Sequence, residues 1–434
     1  MRKNKVDVIT LGCSKNLVDS EQLLRLFSAS GYQVAHDPHQ VNGEIVVINT
    51  CGFIEAARQE SIDMILNVIE AKKKGRIGKV FVMGCLSERY LDELKTELPE
   101  VDGFYGKFNW RELVQSLGKA FHTLPSDIRY LTTPSHYAYV KISEGCNRSC
   151  SYCSIPIMTG KHKSRSLEEI KSEVCGLAQA GVKEIQLIAQ DLTYYGRDIY
   201  HKALLPELVE SLCEIKGIEW IRLHYAYPYE FPYDICRVIK ENPKVCKYLD
   251  IALQHISDPM LKAMRRHVTK KDTYDLIHHL RREIPNLYLR TTFMVGHPGE
   301  SEQDFGELCD FIEEIKFERM GAFMYSHEEG TYGYTHYNDD IPIDVKQNRL
   351  DILMEKQQRI AFQVAEAEIG KKYRVIIDRE DPDYYIGRTE HDSPDVDPEV
   401  MIPRGNNSDL QIGSFYTVQI TDNIDYDLLG NVVE

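Results

Sequence analysis

Residues 137–156 read YAYVKISEGCNRSCSYCSIP. The first seven form an apolar and aromatic run that predicts a β-strand. Directly after it, Cys146, Cys150 and Cys153 fall in a CxxxCxxC spacing on one short loop. Three thiolates so close together suit a 4Fe–4S cube in which one iron lacks a protein ligand and can bind a small molecule. A structural zinc is the competing reading, but zinc prefers four closed ligands. The next cysteine, Cys175, falls on the following predicted helix.

From this loop the alternation of strand and helix runs onward through EIQLIAQ, WIRLHYAY, YLDIALQ, YLRTTFMV and RMGAFMY, with helical stretches such as residues 167–181 and 300–317 between them. Six βα units can close as a partial barrel or open as a wound sheet, and periodicity does not separate the two. Residues 344–370 predict one long polar helix stopped by Gly370. Upstream, residues 6–13, 44–51 and 79–85 are strand-like and each leads into a helical stretch, the pattern of a parallel sheet. Downstream of residue 370 the texture changes to short β-rich runs broken by Asp, Pro and Gly, which predicts a small antiparallel barrel of the OB kind. The expected units are therefore 1–135, 136–370 and 371–434, an α/β chain with a β-barrel tail.

A second cysteine set is dispersed. Cys13, Cys51 and Cys85 each stand at the carboxyl end of one of the first three predicted strands, next to Gly12, Gly52 and Gly84. In an open parallel sheet these ends share one edge, where ligands bind, so the three thiols are expected to converge. Cysteines also serve as small apolar fillers. That reading suits Cys175, Cys213, Cys236, Cys246 and Cys309 better than three thiols at one topological position.

The composition agrees. At roughly 150 residues per domain, 434 residues suggest about three. With 43% apolar and 27% charged residues the chain is globular. No apolar run approaches the ~18 residues of a membrane span, and the basic start lacks a secretory cleavage site, so a cytoplasmic setting is expected. Eleven cysteines without an export signal point to metal chemistry, not disulfides. The net charge of −15 disfavours a general grip on nucleic acid. Residues 371–434 hold six Lys/Arg against fourteen Asp/Glu. Such a tail repels phosphate and complements a basic protein. Two basic groups in the centre, Lys161, Lys163 and Arg165, then Arg265, Arg266, Lys270 and Lys271, read as solvated faces or as contacts to RNA.

CxxxCxxC after the first strand of a six-unit βα domain resembles the radical S-adenosylmethionine (SAM) superfamily. With the upstream Cys13/Cys51/Cys85 unit and the terminal barrel, essentially the whole chain resembles the methylthiotransferases. The resemblance implies an amino-terminal cluster domain, a radical SAM partial (β/α)6 barrel and a TRAM domain, with two 4Fe–4S clusters and SAM as cofactors. It implies that SAM bound at the open iron of the Cys146/Cys150/Cys153 cluster is split to a 5′-deoxyadenosyl radical. A sulfur on the Cys13/Cys51/Cys85 cluster then replaces the hydrogen which that radical removes. AQDLTYYG (189–196), RLHYAYP (222–228), ALQHISDPMLKAMRR (252–266) and RTTFMVGHPGE (290–300) are similar to the branch that modifies the β-carbon of an aspartate in ribosomal protein uS12. Methylthiolation of adenosine 37 in tRNA is the alternative, and a non-catalytic iron–sulfur protein docking on ribosomes is another. The expected partners are uS12 and an electron-donor protein.

For SAM, the same resemblance points to Tyr152, between two cluster cysteines, and to Gln190 and Arg222 near strand carboxyl ends. It also points to Gly296 and Glu300 in the GHPGE turn. The plainer readings are loop packing for Tyr152, ordinary barrel-mouth hydrogen bonding for Gln190 and Arg222, and a common turn for Gly296 and Glu300. His255 and His297 read as satisfied structural histidines.

Overall fold

The computed structural model describes residues 1–117, 129–406 and 409–433. The first sheet comprises β1 (Arg2–Thr10), β2 (Gln33–His36), β3 (Gly43–Thr50), β4 (Lys79–Gly84) and β5 (Gly103–Phe104). Its order is β2-β1-β3-β4-β5, with every pair parallel. Val6 and Val8 pack under Leu23, Leu24 and Phe27 on one face, while Val46 and Ile48 meet Ile65 and Ile69 on the other. Burial on both faces is what makes these strands continuous apolar runs. β2 and β5 went unread in the sequence because they are short and only partly buried. The strand order reverses between β1 and β3, and such a switch point opens a crevice at the carboxyl edge.

The central unit contains β6 (Tyr137–Lys141), a two-residue hairpin of β7 (Ser143–Glu144) and β8 (Lys163–Ser164), then β9 (Glu184–Ile188), β10 (Trp220–Ala226), β11 (Val245–Gln254), β12 (Tyr288–Val295) and β13 (Arg319–Met324). The parallel sheet runs β6-β9-β10-β11-β12-β13, strictly in chain order. In this order the usual right-handed crossovers bring the connecting helices to one face, the arrangement of an open partial barrel. Three of its outer helices start with complete capping boxes, Ser166 with Glu169, Thr269 with Asp272 and Ser301 with Asp304. Cys213, Cys236, Cys246 and Cys309 are buried and Cys175 packs against the same core, as their apolar positions predict.

The tail closes as a five-stranded barrel of β14 (Lys372–Glu380), β15 (Tyr384–Arg388), β16 (Val400–Pro403), β17 (Phe415–Ile424) and β18 (Asp427–Val432), in the order β14-β15-β16-β18-β17. β16 and β18 pair in parallel, so the barrel is not wholly antiparallel as its texture suggested. Between β15 and β16, residues 389–397 enter the amino-terminal mouth of the central barrel. Arg319 and Arg290 pair there with Asp392 and Asp397, each at 2.5 Å. Arg222 donates to the carbonyls of Glu390 and Thr389. Part of the tail's acidity is thus neutralised inside the molecule, and the surface is less acidic than the residue count implied. Among the described residues no helix is long and apolar enough to cross a membrane.

Candidate active site

Cys51 and Cys85 directly follow β3 and β4, and Cys13 caps the helix Ser14–Ala29 just past β1. The switch point sets the ends of β1 and β3, and with them Cys13 and Cys51, side by side. Gly12, at φ +91°, passes so close that a Cβ there would stand 2.8 Å from the Cys51 Cβ. Asn16 ties all three ends. Its amide donates to the Leu11 carbonyl at 3.0 Å and the Thr50 carbonyl at 3.1 Å, and its oxygen accepts from the Cys85 thiol at 3.7 Å. Burial pushes the Cys85 thiol up to about 12 and also raises Cys51. Water reaches Cys13 although protein rings it. Desolvation opposes its ionisation, but Lys15, the Asn16 N–H and Lys107 outweigh that and hold the thiol below its usual range.

The second triad hangs between β7 and β8, which pair antiparallel and pinch residues 145–162 into one loop. Gly145, at φ +75°, backs onto the Lys161 carbonyl with no room for a Cβ. The Cys146 N–H donates to the Gly160 carbonyl at 3.1 Å. Arg148 donates to Asp191 at 2.8 Å and lies 4.4 Å over the Tyr227 ring, whose hydroxyl is 3.4 Å from the Cys150 sulfur. Burial pushes the Cys146 thiol up to about 12 and raises Cys153 further, and their neighbouring thiols add to both shifts. Buried Ser151 donates its hydroxyl to His297 Nε2 at 3.1 Å. His297 in turn donates from Nδ1 to the Pro298 carbonyl, and burial lowers it to about 4, so the ring is neutral.

Tyr152 is part of this loop. Its hydroxyl accepts from Arg266 at 3.2 Å, and the same guanidinium nitrogen stands 3.4 Å from the Cys150 sulfur. Arg266, grouped in the sequence with solvated cations, is instead buried against the triad. Gln190 is half-buried just past β9, with no side-chain hydrogen bond among the described residues. Gly296 and Glu300 do stand past β12, but Glu300 is fully engaged. It accepts from the Gly296 N–H at 2.7 Å, Arg349 at 2.6 Å and His255 at 3.1 Å. This carboxylate holds the turn and is not open to a ligand. His255 and His297 are satisfied buried side chains, as read.

Arg222 is a correction. It lies near the amino end of β10, fully buried, donating to Glu184 at 3.1 Å and to the inserted 389–397 segment. A ligand at the carboxyl edge is out of its reach, because its strand position places it at the opposite mouth. Sequence reasoning missed Gln254, at the carboxyl end of β11, whose buried side-chain oxygen has no partner among the described residues. Its only signal was a glutamine ending an otherwise apolar strand.

The segments that bear the two triads touch. Ser154, next to Cys153, donates to the carbonyl of Phe53, two residues past Cys51, at 3.1 Å. Arg89 joins the Gly52 carbonyl at 3.1 Å to Glu328 at 2.9 Å, and Arg58 pairs with the same carboxylate. Lys141 at the end of β6 reaches Asp19 on the first helix at 2.5 Å.

Three family descriptions match this chain: the uncharacterized protein family UPF0004 over residues 5–106, the radical SAM superfamily over 140–312 and the TRAM domain over 369–433. The ribosomal protein uS12 methylthiotransferase RimO of Parabacteroides distasonis is 63% identical over 433 residues, with 100% of both chains covered. The chain belongs to the RimO branch of the radical SAM methylthiotransferases. Proteins of the same name from Bacteroides thetaiotaomicron and Cytophaga hutchinsonii are 60% and 49% identical, covering 100% of this chain and 99% of theirs. Among solved structures, the radical SAM methyltransferase TsrM of Kitasatospora setae matches with a TM-score of 0.53 at 13% identity, over 74% of this chain and 72% of its own, a likeness of fold.

The residues of this methylthiotransferase fit the cofactors its family implies. Each triad offers three thiols, one short of the four closed ligands that zinc prefers and the number that suits a cube with an open iron. Gln254 and Gln190 leave polar groups open at the carboxyl edge where SAM would lie.

Proposed function

We propose that this enzyme methylthiolates the β-carbon of an aspartate in ribosomal protein uS12. Cys146, Cys150 and Cys153 would hold one 4Fe–4S cluster, and Cys13, Cys51 and Cys85 a second. The observation that carries the two-cluster reading is the Ser154–Phe53 hydrogen bond, which joins the loops bearing the two triads. The names and full-length identity of the relatives support uS12 as substrate. A ribosomal substrate fits a cytoplasmic setting.

When bound, the clusters and SAM supply what no side chain can, a hydrogen-abstracting radical together with the sulfur and methyl group. The chain's own part is placement. Arg266 donates toward the Cys150 sulfur and the Tyr227 hydroxyl packs 3.4 Å from it, while Ser151 and His297 fix the loop. Gln190 and Gln254 offer hydrogen bonds at the barrel's carboxyl edge. The salt bridges to Glu328 hold the amino-terminal unit over that edge, so that the reacting groups share one small space and water is excluded.

Intact-mass analysis of uS12 from cells with and without the gene tests this. A difference of about 46 Da, the SCH₃-for-H exchange of a cofactor-borne insertion, is expected. An unchanged uS12 with altered tRNA nucleosides would move the substrate to tRNA.

A further inference from the structure

The methylthio acceptor is a carbon bonded directly to a carboxylate. Whatever reads that charge must therefore sit where the two triads meet, within a bond or two of the reacting atom. The cations around this junction are nearly all engaged. Lys107 and Lys141 pair with Asp19 and Glu144. Arg58 and Arg89 pair with Glu328. Arg148 pairs with Asp191, and Arg266 is held by Tyr152, the Cys150 sulfur and the Ala252 carbonyl.

Lys15 is the exception. It stands two residues past Cys13 and is only 5% exposed, yet among the described residues it has no hydrogen bond and no ion pair. Its ammonium lies 3.3 Å from the centroid of the Tyr225 ring. Tyr225 is the penultimate residue of β10, at the barrel's carboxyl edge, with φ +66°. Lys15 thus spans from the amino-terminal triad to the barrel mouth. Asp250 feels its field but closes no ion pair with it, and takes the Tyr225 N–H at 3.3 Å instead. The side chain is largely buried and has no carboxylate beside it, so an aromatic face and residual water compensate the ammonium only in part. The remaining donors fit an anion that arrives from outside.

We propose that Lys15 is the specificity-determining residue that binds the β-carboxylate of the target aspartate. The inference rests on the uS12 reading and adds to it how an acidic side chain is selected. Binding the carboxylate over Tyr225 presents the adjacent carbon between the two triads. It also holds the acid ionised, so no proton shares the site. Lys15 could instead serve only to counter the charge of the Cys13 thiolate, and the test must separate these roles.

The reconstituted full-length enzyme would be assayed with two peptides covering the uS12 target loop, one with its aspartate and one with asparagine there. The wild type is expected to favour the aspartate peptide by at least about tenfold, the scale of a hydrogen bond to a charged group. Lys15→Gln is expected to keep its iron and sulfide content, its 5′-deoxyadenosine formation and its KM for SAM. Its KM for the aspartate peptide should rise at least about tenfold, and its preference over asparagine should collapse. Lys15→Arg, which keeps the charge, should retain part of that preference. The proposal is overturned if the wild type shows no preference, or if Lys15→Gln loses iron from the amino-terminal triad, raises the KM for SAM instead, or keeps its preference intact. Transfer to neither peptide by a wild type that still cleaves SAM would overturn the uS12 reading itself, and the proposal with it.

Discussion

At Gly12 backbone and space make the same demand: φ is +91° and a Cβ would press on Cys51. An alanine there costs about 1–2 kcal/mol in backbone strain alone, and it also displaces a triad cysteine. Reconstituted Gly12→Ala is expected to lose the iron of the amino-terminal triad while still cleaving SAM, as iron and 5′-deoxyadenosine assays would show. Loss of both activities together would mean the two triads are not separately built. His297 gives a pH dependence. Burial holds its folded value near 4, below an ordinary 6.5, so folding favours the neutral ring. Its contribution is complete above about pH 6.5 and is lost as pH falls toward 4, by up to about 3 kcal/mol. His297→Gln should therefore shrink the stability difference between pH 7 and pH 5 in denaturant titrations; an unchanged difference would place the sensitivity elsewhere. The six triad cysteines were legible because spacing and strand position are properties of the sequence itself. Asn16, Arg266 and Gln254 were not, since each matters only through neighbours brought from distant segments.

At the scale of elements, the 389–397 segment shows how position along a strand decides what a residue does. Arg222 and Gln190 both looked like barrel-edge residues, yet one lies near the beginning of its strand and the other past the end of its own. Periodicity finds a strand but leaves its boundaries uncertain by a few residues, enough to move a side chain from one barrel mouth to the other. Arg388 leads into the inserted segment and donates to Glu184 at 2.8 Å and to Asp378 at 2.6 Å, with all three substantially buried. Removing it leaves buried Glu184 with Arg222 as its remaining guanidinium and takes that of Asp378 away, and breaking a buried ion pair costs up to about 3–5 kcal/mol. Arg388→Ala is expected to lower the melting temperature and to expose the terminal barrel to protease, with cluster content unchanged. Arg222→Gln should likewise change stability and leave the KM for SAM alone. A raised KM for SAM in that variant would restore Arg222 to the cofactor site.

At the scale of the whole molecule, the six central strands, the three cysteine-bearing strands and the terminal barrel were readable because each is a strongly patterned local run. How the units meet was not, because it depends on single polar contacts across hundreds of residues. Glu328 is the clearest of these. It receives Arg58, Arg89 and the Glu55 N–H from the amino-terminal unit, and Ser326 from its own loop. Those bonds set the distance between the two triads without touching either set of thiols. If transfer depends on that spacing, Glu328→Ala should separate the two halves of the reaction. Each triad stays intact on its own unit, so cluster content and SAM cleavage should persist. Placement errors of about 1 Å can cost on the order of 10²-fold, so methylthiolated product per 5′-deoxyadenosine should fall by about 10–100-fold. The ratio, not either rate alone, is the readout, because general destabilisation lowers both together. An unchanged ratio would mean that the Ser154–Phe53 and Lys141–Asp19 contacts suffice to hold the triads in register.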